Sequence, residues 1–97
     1  MNGTIYHMWS PTCGPCQVLK PAIQDLKEEF SQFTWVSVNT HDDPHNYAQQ
    51  FGVRFVPTLV LVVKNADGKV IMSEKKSGTS IADYYRLIRG GLRLIQS

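Results

Sequence analysis

Cysteine is scarce in this 97-residue chain: there are two, Cys13 and Cys16. That excludes a disulfide-stapled secreted scaffold, which relies on several bridges. A bridge between Cys13 and Cys16 would close a loop of only four residues. In the loop-entropy model such a bridge is worth about 2 kcal/mol, against roughly 3 for a fifteen-residue loop. A bond so placed is suited to opening rather than to stapling, and it predicts a reducing, cytoplasmic compartment. No apolar run reaches the ~18 residues that a membrane span needs. No basic segment followed by a long apolar stretch opens the chain, so a cleaved leader is not expected. An excess of one charge is missing too: ten Lys and Arg stand against eight Asp and Glu, for a net +2. The one dense basic spot, Lys75-Lys76, reads as a solvated strand end, not as the clustered footprint of a nucleic-acid binder. Repeats, linkers and low-complexity segments are absent.

What is present fits one small globular domain over residues 1–97, with a hydrophobic share of 42%. Thr4 to Trp9 is β-rich and predicts a first strand. Leu19, Ile23, Leu26 and Phe30 fall at helical spacing and predict a helix from Gly14 to Phe30, kinked at Pro21. Thr34 to Asn39 alternates as a second strand. Asp43-Pro44 predicts a helix start, an N-cap acceptor followed by proline, for a short helix carrying Tyr47, Ala48 and Phe51 and ending at Gly52. The run Thr58 to Val63 predicts a strand buried on both faces. Asn65 to Gly68 is a hairpin turn, and Lys69 to Glu74 the returning strand. Ser80-x-x-Asp83 predicts the start of a last helix with Ile81, Tyr84, Tyr85, Ile88, Leu92 and Ile95 as its buried stripe. Gly90-Gly91 lies inside that helix at a cost of about 2 kcal/mol relative to two alanines. Either the helix frays there or the glycines permit a close contact. The order is β-α-β-α-β-β-α: an α/β fold with a four-stranded mixed sheet flanked by three helices, its first βαβ unit parallel and right-handed.

The strand-to-helix junction carries the chemistry. With Cys13 as N-cap, Gly14 and Pro15 occupy the first turn and Cys16 is the third helical residue. Backbone N–H groups of that turn point towards the Cys13 sulfur, and the helix dipole adds partial positive charge. Both favour thiolate over thiol. For each unit by which a thiol pKa falls, thiolate rises about tenfold while intrinsic nucleophilicity drops about threefold. The net gain in attack is small; the larger one is that Cys13 becomes a good leaving group. Cys16, one turn on, is placed to attack the mixed disulfide. Cys13 is therefore the expected nucleophile and Cys16 the resolving thiol. A zinc site built with His41-x-x-x-His45 is disfavoured, because 24 residues separate Cys16 from His41, about twice the finger spacing. Two inert buried cysteines are the other bland alternative.

The string Trp9-Ser10-Pro11-Thr12-Cys13-Gly14-Pro15-Cys16, then Pro21, Val56-Pro57-Thr58 and Gly78, resembles the thioredoxin family over nearly the whole chain. The N-terminal strand and helix of ordinary thioredoxins are absent, as in compact glutaredoxin-like members. The resemblance implies a cis Val56-Pro57 peptide facing Cys13, with the Val56 backbone pairing with an extended substrate. It implies a substrate surface built from Trp9, Thr12, Gly14, Pro15, Val56 and Pro57, with Trp9 packed under the loop; plain core packing of Trp9 is the alternative. Several residues depart from the family: Thr12 replaces its tryptophan, His7 its buried acid, Ser37 the lysine paired with that acid, His41 an aspartate, and Phe55 a common glycine. His7 becomes a candidate catalytic residue, taking the proton of Cys16 as that thiol attacks; a histidine satisfied by backbone and water is the alternative.

The function implied is a monomeric protein-disulfide reductase acting on disulfide-containing proteins. It needs no cofactor or metal, has no nucleic-acid or membrane partner, and draws electrons from thioredoxin reductase or glutathione. The alternatives are a glutaredoxin-like, glutathione-dependent reductase, which the short N-terminus favours and the Gly-Pro pair disfavours, and a redox-independent binding module on the same scaffold.

Overall fold

A computed structural model describes residues 1–96. The chain runs β1 (Asn2–Trp9), α1 (Gly14–Glu29), β2 (Thr34–Asn39), α2 (Tyr47–Gln50), β3 (Thr58–Lys64), β4 (Val70–Ser77) and α3 (Ile81–Gln96). The four strands form one sheet in the order β2-β1-β3-β4. β1 pairs parallel with β2 and antiparallel with β3, and β3 pairs antiparallel with β4. The mixed four-stranded sheet and three helices expected from the sequence are all present, in that order.

Two apolar layers follow from strand alternation. On one face Ile5, Leu59, Leu61 and Val63 meet Leu19, Ile23 and Leu26 of α1 and Tyr84 and Ile88 of α3. On the other, Met8, Val38, Val60 and Val62 meet Tyr47, Ala48 and Phe51 of the α2 region. β3 feeds both layers and is buried from Thr58 to Val63, as its continuous apolar run predicted. α1 passes through Pro21 without a break in its span.

The differences in detail have local causes. α2 begins at Tyr47, not at Asp43-Pro44, because Asn46 adopts a left-handed conformation (φ 59°) and delays the helix. Asp43 still caps it from a distance: its carboxylate accepts the N–H groups of Tyr47 and Ala48 at 3.1 and 2.9 Å. β4 continues to Ser77, past the expected end at Glu74, because Lys75, Lys76 and Ser77 keep pairing with Val60, Leu59 and Thr58. α3 runs through Gly90-Gly91, and the reason is contact rather than fraying. A Cβ on Gly91 would lie 2.5 Å from Cδ2 of the fully buried Leu61, whereas one on Gly90 would meet nothing within 4 Å among the described residues. Gly91 thus lets the helix approach β3.

Candidate functional site

β1 ends at Trp9 and the chain turns through Ser10–Thr12 into α1. The turn is fixed by the Cys13 N–H donating to the Ser10 carbonyl at 3.2 Å, and by contact of the Ser10 and Thr12 hydroxyls at 3.4 Å. Trp9 is tied to β2, with its indole N–H donating to Ser37 Oγ at 2.7 Å and its carbonyl accepting the Thr40 N–H at 2.9 Å. Cys13 is the N-cap of α1, with an extended backbone (φ −90°, ψ 103°). The Cys16 N–H donates to Cys13 Sγ at 3.1 Å. This is the donor arrangement that favours a thiolate at Cys13 once the bond is reduced.

Cys13 and Cys16 are joined by a disulfide, with Cα atoms 5.2 Å apart. Their exposures are 9% and 4%, so Cys13 is the more accessible sulfur-bearing residue. Pro11, Thr12, Gly14 and Pro15 around them are exposed. Among the described residues, no group of three or more His, Cys, Asp and Glu is arranged to hold a metal ion.

The Val56-Pro57 segment emerges at the same end of the sheet, since Thr58 stands opposite Met8. Its peptide bond is cis. Pro57 is buried, Val56 packs on the second apolar layer, and Phe55 beside them is 71% exposed. Sequence reading placed Tyr84 in the core but gave its hydroxyl no role. That hydroxyl donates to the carbonyls of Gly78 and Pro57, and the Gly78 N–H also donates to the Pro57 carbonyl at 3.1 Å. Burial, with Asp83 nearby, pushes the Tyr84 hydroxyl up to about 12, which keeps it a donor. Thr58 adds a second tether, its hydroxyl donating to the Phe55 carbonyl at 2.6 Å.

Behind the dithiol lies a cavity of about 230 Å³ lined by His7, Trp9 and Ser37 from the sheet and by Cys16, Lys20 and Lys27 among others from α1. The structure thus brings His7, Trp9 and Cys16 to one space. His7 Nε2 is buried and, among the described residues, has no hydrogen-bond partner. Burial first, and the Lys27 charge second, lower its pKa from 6.5 to about 4, so the imidazole is neutral at pH 7. Lys20 and Lys27 were not singled out from the sequence. Their signal was there, seven positions apart on α1 and hence on one side of the helix.

Comparison with known proteins agrees with this geometry. The family model described as Thioredoxin matches residues 2–86. A chloroplastic M-type thioredoxin of Zea mays is 38% identical over 85 residues, covering 84% of this chain and 50% of its own length. The thioredoxin of Haemophilus influenzae is 38% identical over 66 residues, covering 68% of this chain and 59% of its own. The chain spans about half the length of such curated relatives. Among solved structures, Fasciola hepatica thioredoxin superposes with a TM-score of 0.76 at 21% identity, over 93% of this chain and 81% of that one, which speaks to the fold. The family model spans strand, dithiol loop, cis-proline segment and the start of the last helix, and by that match the chain belongs to the thioredoxin family.

Proposed function

We propose that this chain is a thiol–disulfide oxidoreductase that reduces disulfides in proteins, acting as a single domain and a monomer. One observation carries the reading: Cys13 caps α1, accepts the Cys16 N–H on its sulfur, and is bonded to a second cysteine one turn away. In the reduced protein the Cys13 thiolate attacks a substrate disulfide, expels one substrate sulfur and forms a mixed disulfide. Cys16 then attacks Cys13, its proton is given up, and the second substrate sulfur leaves as a thiol. Two electrons pass to the substrate and the Cys13–Cys16 bond forms.

Trp9, Thr12, Gly14, Pro15, Val56 and Pro57 serve in this reading as the substrate surface, the Val56 backbone pairing with an extended segment. Support comes from the exposure of Thr12, Gly14 and Pro15 and from the hydrogen bonds that fix the Pro57 carbonyl. His7 takes the Cys16 proton during resolution. The imidazole is neutral, as an acceptor must be, but weak: full transfer from an ordinary thiol near 8.5 would be uphill by about 6 kcal/mol. The transfer is therefore concerted with sulfur–sulfur bond formation, which acidifies the departing proton. An unchanged rate of mixed-disulfide resolution in a folded His7→Ala variant would remove this role.

Electrons to regenerate the dithiol come from a thioredoxin reductase or from glutathione. One solved relative is named as a complex of ferredoxin:thioredoxin reductase with thioredoxin f2, which supports the reductase route. A reducing compartment is part of the reading. The cytoplasm meets it, and so does the chloroplast that the names of plant relatives specify. An insulin-reduction assay supplied in turn with each electron source tests the function: turnover that Cys13→Ser abolishes is expected. Absence of turnover with either source refutes it and favours the redox-independent binding module.

A further inference from the structure

The two edges of the sheet are defended differently. β4 carries Glu74, Lys75 and Lys76, and its pairing with β3 has an irregularity at Val63/Lys64. Charges and bulges of this kind discourage strand addition. β2, the opposite edge, reads Thr-Trp-Val-Ser-Val-Asn, with no charge and no proline. The Thr40 N–H faces β1, where it donates to the Trp9 carbonyl at 2.9 Å. Alternation along the strand then turns the backbone groups of Trp35 and Ser37 away from β1, towards the open side. Among the described residues, those outward N–H and C=O groups have no backbone partner.

Along the same edge runs a line of donors. Gln17, Lys20, Gln24 and Lys27 are spaced three, four and three apart and form one stripe of α1, beside the buried stripe of Cys16, Leu19, Ile23 and Leu26. At 1.5 Å per residue the stripe is about 15 Å long, with its lysines about 10 Å apart. It forms the helix wall of the cavity behind the dithiol, and Ser37, on the edge strand, is part of the sheet wall. Among the described residues, no carboxylate lines that cavity.

We propose that the open edge of β2 and this donor stripe together bind an extended acidic segment of a partner protein. The segment adds beside β2 as a fifth strand, pairing with the backbone of Trp35 and Ser37, and the carboxylates that alternate onto the α1 side reach Lys20 and Lys27. Side chains two apart on a strand share a face about 7 Å apart, and flexible lysines span the remainder. Strand addition supplies affinity through the main chain and specificity through alternate side chains. A second copy of this chain is a poor occupant, since its own β2 offers no carboxylate to the lysines. A small free anion would leave Trp35 and Ser37 unpaired.

The test uses the oxidised protein, so its outcome is independent of the redox reading. The peptide acetyl-Thr-Glu-Thr-Glu-Thr-amide is titrated into the ¹⁵N-labelled protein. Saturable shifts and slowed exchange at the Trp35 and Ser37 amides are expected. Affinity should fall at least tenfold when both glutamates are glutamine, and at least tenfold in the Lys20→Gln, Lys27→Gln double variant, whose fold is checked by the unshifted remainder of its spectrum. Backbone N-methylation of the peptide should abolish binding. Equal affinity of the glutamine peptide, indifference to the lysine changes, shifts confined to the cavity without protection of Trp35 and Ser37, or no saturation at millimolar peptide would each overturn the proposal.

Discussion

His7 makes this protein sensitive to acid between about pH 6.5 and pH 4. Its folded pKa is about 4, lowered from 6.5 by burial and by Lys27. Below pH 6.5 the unfolded chain takes up a proton that the folded chain refuses, so the unfolded state binds more protons and stability falls as pH falls. The loss begins near pH 6.5 and is complete below pH 4. A difference of 2.5 in pKa corresponds to about 3 kcal/mol. For a domain of this size each kcal/mol moves Tm by about 4–8 °C, so the His7 contribution alone amounts to roughly 15 °C. The assay is urea unfolding followed by tryptophan fluorescence at pH 7, 6, 5 and 4, on the wild type and on His7→Leu. Subtracting the two removes what carboxylates contribute to both. The gap should move by about 3 kcal/mol in favour of the leucine variant between pH 7 and pH 4. In Lys27→Gln the movement should shrink, because one cause of the lowered pKa is gone. Parallel curves for wild type and His7→Leu would refute the assignment of a half-buried, neutral imidazole.

The two neighbouring glycines of α3 should respond in opposite directions. Gly90→Ala should stabilise by up to about 1 kcal/mol, since its Cβ meets nothing and helix propensity improves. Gly91→Ala should destabilise by about 1–3 kcal/mol by driving a methyl into Leu61; thermal unfolding of both variants checks the pair. Tyr84→Phe leaves the Pro57 and Gly78 carbonyls without the hydroxyl donor and should cost about 1–3 kcal/mol. Amide exchange of the Gly78 N–H, which donates to the Pro57 carbonyl, should quicken in that variant.

The features legible in the sequence are those written in local pattern. Alternation and β-branched runs gave the four strands, the three-and-four spacing of α1 gave its buried face, and Cys13-Gly14-Pro15-Cys16 at a strand-to-helix junction gave the dithiol with its cap. Features that depend on residues distant in the chain were hidden. Whether Gly91 marks a frayed end or a contact turns on Leu61, thirty positions away. The Tyr84 hydroxyl is functional in position only because Pro57 and Gly78 converge on it. The α2 start moved because Asn46 takes a left-handed conformation that no neighbouring residue announces. His7 was visible as a substitution within the family pattern, but its lowered pKa comes first from burial beneath the packed fold and then from Lys27 arriving from α1.

The central claim is that Cys13 attacks and Cys16 resolves. It is tested most directly by mass spectrometry of the Cys16→Ser variant after exposure to a disulfide-bonded protein. The account predicts a mixed disulfide that accumulates on Cys13 and persists, while Cys13→Ser, treated identically, forms little or none. Equal capture by Cys16 in the Cys13→Ser protein, or no adduct on Cys13 in the Cys16→Ser protein, would contradict it.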